Sequence, residues 1–337
     1  MKRRLRIVSG AAVLVVSVLA SAVVSSQGQS SSGTPYSPPR TPWGDPDLQG
    51  IWPGTDSVGV PFERPERFGT RLFLTDAELK EREQQAAKQE ELDVLDFDLQ
   101  KPPAEIVALG DVGGVTSPPP HWLERGRPSR RTSIVIDPPD GRVPALSAEA
   151  RARQQRGVRG SFGNGPFNSH EDFTLYDRCI TRGVPNAIYP AVYNANTRLV
   201  QGPGYVAISY EMIHETRVVP IDSRPTLPAD LRQYLGDARG HWEGDTLVIR
   251  TANFNGRTSY RGSSDKLVLV ERFRRVDADT LRYEMTVEDP ATWARPWTAA
   301  LNLKPQSDQM YEYACHEGNN AMRNMLSAAR SEDQKKR

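Results

Sequence analysis

Three side chains in the second half of the chain are suited to proton transfer and are patterned to share one interior: His214, Glu271 and His316. Residues 205–214 alternate, with Val206, Ile208, Tyr210 and Met212 on one phase. Read as one strand, that phase forms a single face, and His214 belongs to it. Glu211, Glu215 and Arg217 then take the opposite face, so Glu211 and His214, three apart, are not a metal pair of the helical kind. Glu271 is in phase with Leu267, Leu269 and Phe273. A carboxylate on an apolar face is unfavourable unless paired or protonated, so Glu271 implies a partner: His214, an arginine or a ligand. His316 and Glu317 end the last alternating run, just before Gly318. There they form a general acid and base pair at a pocket mouth or, on the other reading, cap the final helix and neutralise each other. His214, His316 and Glu271 have the ligand types of a metal centre, yet no spacing requires one and no metal is assigned.

The last run, 309–316, has two possible inward faces: Met310, Glu312, Ala314 and His316, or Tyr311, Tyr313, Cys315 and Glu317. Glu312, Tyr313 and Glu317 are therefore candidate ligand contacts together with Tyr210. Tyr189, Tyr193 and Tyr205 are further aromatics that either line a pocket for a planar or sugar-like molecule or pack in the core. Cys179 and Cys315, the two cysteines, are read as a disulfide because an exported chain meets an oxidising compartment. A nucleophilic Cys315 beside His316 is the alternative, but neighbours on a strand point apart. The chain has no Gly-x-Ser-x-Gly elbow, no His-Glu-x-x-His, no phosphate loop and no Gly-x-Gly-x-x-Gly, and no cofactor is assigned. The glycine loop at 160–165 lacks the preceding strand that a nucleotide loop requires.

These side chains depend on a β scaffold. From 198 to 316 apolar residues recur with a period of two in six runs: 198–221, 240–254, 266–276, 280–289, 297–303 and 309–316. Glu243-Gly244-Asp245 and Asp277-Ala278-Asp279 are hairpin-type turns. Consecutive strands with short links predict an antiparallel meander. It is expected to curl into a lipocalin-like barrel or strongly bent sheet, with a strand near Gly50-Ile51-Trp52 helping to close it. Residues 41–197 read as extended arms and peripheral helices packed on that barrel, which with a C-terminal helix fills 198–333. Helices are predicted at 75–92, where Thr75 and Glu78 form a capping box, and at 147–155 behind Ser147. A third at 320–331 places Met322, Met325, Leu326 and Ala329 on one stripe, read as a core seam.

The 337 residues carry 43 Lys plus Arg against 42 Asp plus Glu. Part of that balance lies in Lys2, Arg3, Arg4 and Arg6, which precede an apolar run and the small-x-small site Ala20-Ser21-Ala22. Residues 1–22 thus read as a secretory signal peptide, 23–40 as a linker, and the mature chain as periplasmic or secreted with no stable membrane span after cleavage. A near-neutral mature chain argues against a nucleic-acid partner. The acidic block at 76–105 and the basic block at 125–159 are expected to meet and neutralise each other.

The strings TPWGDPDLQGIW at 41–52, GHWEGDTLV at 240–248 and YEYACHEGN at 311–319 resemble those of a large group of uncharacterised secreted proteins from soil bacteria. The resemblance covers most of the mature chain and implies export, with no activity attached. Gly50-Ile51-Trp52 is also similar to the Gly-x-Trp signature of lipocalin-like barrels, in which the Trp plugs one end. Three functional readings follow. The first is an exported barrel that binds a small apolar or aromatic molecule. The second is a lyase, isomerase or hydrolase using His214, Glu271 and His316 in the same pocket. The third is a structural or envelope-associated interaction protein. The sequence carries no signal of oligomeric state.

Overall fold

A computed structural model of the chain describes residues 36–93, 123–155, 165, 167–258 and 260–335. The expected signal peptide, the linker up to residue 35, the proline run at 118–120 and the glycine loop at 161–164 lie outside the described residues. Residue 36 onward clusters as one unit, and among the described residues no helix is long and apolar enough to cross a membrane.

The described residues form ten strands in two antiparallel sheets, eight of them from the alternating half of the chain. One sheet has the order β1 (Gly50–Pro53), β3 (Asn196–Gly202), β4 (Tyr205–Tyr210), β5 (Thr216–Pro220). The other runs β2 (Val135–Asp137), β10 (Trp297–Leu303), β9 (Thr280–Glu288), β8 (Val268–Asp277), β7 (Thr246–Ala252), β6 (Asp237–Glu243). The expected single meander is instead two, β3 to β5 in the first sheet and β6 to β10 in the second. Gly244 supplies the φ of +60° that the tight β6–β7 hairpin demands. Asp277 Oδ1 accepts from Asp279 N at 2.8 Å in the β8–β9 turn. Leu199, Ile208 and Val219 from the first sheet, and Leu247, Leu269, Phe273, Tyr283 and Leu301 from the second, share one core. Trp52 is buried there, with its indole N–H on Leu48 O at 3.0 Å and the Arg275 guanidinium over its ring.

Backbone pairing does not close a barrel. β5 and β6 share no ladder, although a Cβ on Gly240 of β6 would come within 3.3 Å of the Val219 side chain of β5. At the other seam β1 meets the chain beyond β10 at a single bridge, Ile51 with Gln306. Pro220, Pro225 and Pro228 deprive the β5–β6 connection of backbone donors, so pairing does not propagate across it.

Three other expectations are corrected. The 198–221 run is three strands rather than one long run. β4 stops at Tyr210, and Ile213 and His214 take φ of +66° and +46°, which reverses the chain. The 309–316 segment is not a strand and follows β10 as irregular chain. The C-terminal helix, α3 (Ala321–Lys335), buries none of its residues, so its Met322, Met325, Leu326 and Ala329 stripe is only half covered and forms no core seam.

The arms are tied to the sheets. Helix α1 (Asp76–Asp93) begins at the expected capping box, with Thr75 N donating to Glu78 Oε2 at 2.8 Å and Glu78 N to Thr75 Oγ1 at 3.3 Å. Arg82 on α1 donates to the carbonyls of Ser129 and Arg131 at 2.6 and 2.8 Å, and Asp76 pairs with Arg130. The acidic and basic blocks thus meet where they are described. Helix α2 (Ala148–Gln155) starts at Ser147, whose Oγ accepts from Ala150 N at 3.0 Å. Arg64, 1% exposed, donates to Thr132 Oγ1 at 3.0 Å and Pro139 O at 2.5 Å. It lies against Gly141, where φ is +69° and a Cβ would lie 2.8 Å from the guanidinium.

Cys179 and Cys315 form a disulfide, with Cα atoms 5.7 Å apart and a sequence separation of 136. It fastens the chain beyond β10 to the irregular segment before β3. Asn319 Nδ2 reinforces the attachment by donating to Asp177 O at 2.9 Å. Closing so long a loop stabilises the fold by about 5 kcal/mol in the chain-entropy treatment. Replacing both cysteines with serine is therefore expected to lower the unfolding free energy by up to about 5 kcal/mol. Urea unfolding with and without reductant checks this, since only the unsubstituted chain should respond to reductant.

Candidate functional site

A buried charge pair sits between the two sheets. In the β4–β5 hairpin Arg217 is directly opposite Ile208, which is fully buried. Cross-strand partners share a face, so Arg217 points inward. Glu271 of β8 lies opposite Ile249 and Met285, both in the core, and is fully buried as its strand phase implies. Arg217 Nη2 donates to Glu271 Oε1 at 2.7 Å, and the Tyr283 hydroxyl donates to the same oxygen at 2.9 Å. The partner of Glu271 is thus an arginine. Tyr210 completes the cluster beneath the guanidinium, 6.0 Å from its ring centroid. Burial works against the Arg217 charge, but Glu271, Tyr210 and Tyr283 outweigh it and hold the guanidinium above its ordinary value. Arg217 Nε and Nη1 and Glu271 Oε2 have no hydrogen-bonding partner in the protein.

The other candidates do not join this cluster. The reversal at Ile213 and His214 puts His214 on the surface, where Nδ1 donates to the Tyr313 carbonyl at 2.9 Å. It is spent on holding the chain beyond β10. Glu211, expected outside, is buried and accepts from Asn196 N and Nδ2 at 3.2 and 2.7 Å. Glu312, His316 and Glu317 are exposed on irregular chain, and Tyr313 is half-buried. Neither histidine bonds to Glu271, so the acid and base trio is not assembled. Cys315 is disulfide-bonded and is no nucleophile. Among the described residues no three His, Cys, Asp or Glu side chains are grouped to hold a metal ion.

One concave site lies where the arms meet the six-stranded sheet, adjoining a hollow of about 500 Å³ that Glu78, Glu81 and Arg82 of α1 help to line. A cavity of about 330 Å³ is lined by Val60, Phe62, Ile134, Asn186, Tyr189, Tyr260 and Arg261, with residues 57–59 and 190–192. Each aromatic wall has its own support. Ile134 N donates to Pro61 O and Val135 N to Phe62 O, both at 2.9 Å, and β2 pairs with β10, so Phe62 rides on the sheet. Tyr189 follows a single 3₁₀ turn, Asn186–Ile188, anchored by buried Ala187 and Ile188. Tyr260 N donates to Ser263 Oγ at 2.9 Å and Ser263 N returns to Tyr260 O at 2.9 Å. Asp289 then fixes that loop by accepting from Ser264 N and Oγ at 2.6 and 2.9 Å.

The rings form one assembly. The Tyr189 and Tyr260 hydroxyls lie 2.6 Å apart and their rings stack at 6.1 Å. Tyr260 stacks on Trp297 at 6.0 Å, and Phe62 meets Trp297 edge-on at 5.8 Å and Tyr189 at 5.7 Å. The Trp297 indole N–H is buried without an acceptor. At the rim the Arg261 guanidinium carbon stands 3.8 Å from the Phe62 ring centroid. Pockets for organic ligands are typically concave, largely apolar and aromatic, with a few convergent polar groups, and run upward from about 300 Å³. Of these residues, sequence reading had singled out only Tyr189. Phe62, Tyr260 and Arg261 lie in segments without periodicity, and only the fold brings them together. Tyr205 is exposed and Tyr210 lies in the core, away from this cavity. No protein-family model matches the chain, and no curated protein is significantly similar to it.

Removing one member of the Arg217–Glu271 pair leaves an uncompensated buried charge. Glu271→Gln is expected to destabilise the fold by about 3–5 kcal/mol, while the double replacement Arg217→Met, Glu271→Leu recovers most of that. Urea unfolding of the two variants tests it, and equal losses would count against the pair.

Burial also raises the Tyr176, Tyr189, Tyr210, Tyr260 and Tyr283 hydroxyls above the usual phenol value. Unfolded tyrosines ionise near pH 10, so above that the unfolded chain loses protons that the native state keeps, and stability falls as pH rises. Absorbance at the phenolate band should show these five silent at about pH 11 until the protein unfolds.

Proposed function

We propose that the chain is an exported binding protein for a small, largely apolar or aromatic molecule, stacked on the Phe62 and Tyr189 wall of this cavity. One observation carries this reading: the lining aromatics are braced by a ring stack that continues into the core through Trp297. Aromatic pairs at these separations favour offset or edge-on contact, so a further flat ring can extend the assembly without displacing its members. Bracing by β2, Asp289 and the 3₁₀ turn reduces the ordering that binding would otherwise require. The two curved sheets with their common core serve as the rigid, barrel-like support of the site. Export is favoured by the Cys179–Cys315 disulfide together with the signal-like start of the sequence.

The aromatic amide 2-naphthamide is a neutral probe of this site, and cyclohexanecarboxamide is its non-aromatic control. Calorimetric titration should give 2-naphthamide a Kd below about 1 mM, which corresponds to roughly 4 kcal/mol or more, and the control should bind more weakly. Ala191→Trp, on the cavity wall, should abolish binding while leaving the unfolding transition in place. Undiminished binding in that variant, or no binding of 2-naphthamide to the unsubstituted protein, would overturn the proposal.

A further inference from the structure

We propose that the ligand of this cavity is an aromatic anion, a flat ring bearing a carboxylate or an equivalent oxyanion, whose charge is received by Arg261. The inference rests on the aromatic reading of the cavity and adds to it the chemical class of the polar end.

Three observations support it. First, charge: Arg261 is the one ionisable residue of the lining besides the two tyrosines, and no Asp or Glu lines the cavity. Arg261 forms no ion pair or hydrogen bond with a described residue, whereas Arg71, Arg130, Arg232 and Arg272 are each held by a carboxylate. Its guanidinium is packed on the Phe62 ring by one face, which leaves the in-plane N–H fork to meet an oxyanion bidentately.

Second, placement: Arg261 stands at a φ of +48°, a left-handed conformation that a non-glycine residue adopts at an energetic disadvantage. The turn maintains it because Tyr260 and Ser263 bond to each other and Asp289 grips Ser264. A side chain that merely faced solvent would need no such fixation at the rim.

Third, the hydroxyls: Tyr189 and Tyr260 hold two O–H hydrogens but make only one hydrogen bond between them. One hydrogen has no acceptor among the described residues. A second oxygen or ring substituent of an acidic ligand can accept it, and hydrogen bonds to ionised acceptors are the stronger kind. Arg261 is also close enough for its charge to act on both phenols, opposing the burial that raises them.

The test compares 2-naphthoate with 2-naphthamide, which share one ring system and differ in charge, on the unsubstituted protein and on Arg261→Gln and Arg261→Lys. The expected result is that naphthoate binds about tenfold tighter than the amide. Arg261→Gln should weaken naphthoate by more than it weakens the amide and so remove that preference, and Arg261→Lys should restore part of it. Raising the salt concentration should weaken naphthoate and leave the amide unchanged, because the guanidinium is exposed. If the amide binds as tightly as naphthoate, or if Arg261→Gln weakens both equally, the anionic assignment is overturned and the aromatic reading stands. If neither probe binds, both are overturned.

Discussion

The two sheets are joined across their common core by one ion pair, Arg217 of β5 with Glu271 of β8. A buried pair is weak as a net source of stability, because two charges must leave water, but it is unforgiving of misplacement. Arg217 reaches Glu271 only if the β4–β5 hairpin is in register with Ile208 opposite it, and Glu271 reaches Arg217 only if β8 keeps its phase between β7 and β9. A slip of one residue in either would turn a charge outward and an unpaired one inward. The pair therefore acts on register more than on stability, and Tyr283, donating to Glu271 Oε1, adds a third constraint from β9.

With the sheets held in one arrangement, the irregular half of the chain has a fixed surface to bind, and it does so through its arginines. Arg64, Arg82 and Arg131 lie in or against the arms, and two of them donate to backbone carbonyls of neighbouring segments. A guanidinium has five donors in a rigid plane, so one side chain can satisfy several carbonyls that loop backbone leaves unpaired. Burial is deep enough at Arg131 to push its guanidinium down to about 10. Within 125–159, Arg130 pairs with Asp76 and Arg153 donates to Thr292 Oγ1 at 2.6 Å, so these arginines too have a structural use.

Strand phase made most of the scaffold legible. β6 to β10, both turns and Glu271's inward direction follow from a period of two, and the caps of α1 and α2 follow from Thr75, Glu78 and Ser147. Phase fails wherever the backbone leaves the extended region. Two left-handed residues, Ile213 and His214, invert the faces beyond Tyr210, so His214 goes out and Arg217 goes in. The residue types barely announce that reversal: β-branched Ile213 opposes a left-handed conformation, and His214 carries only the mild left-handed preference of histidine. The 309–316 segment alternates too, yet its side chains meet solvent and the disulfide rather than a sheet, because Cys315 must reach Cys179.

The position of the cavity follows from the same division. Inside the sheets the space is taken by Tyr210, Phe273, Tyr283 and the ion pair, all buried and in mutual contact or close to it. A ligand there would have to displace charges that already have partners. At the seam between arms and sheet the geometry is different, because segments without periodicity cannot interdigitate along a regular row of side chains and leave gaps where they diverge. Large aromatics limit the size of such a gap, while the two phenols and the guanidinium leave hydrogen-bonding capacity that no described residue uses. A scaffold with a filled interior and a braced aromatic gap at its margin is suited to binding at the margin, and its recognition residues then fall in the part of the sequence where periodicity is silent.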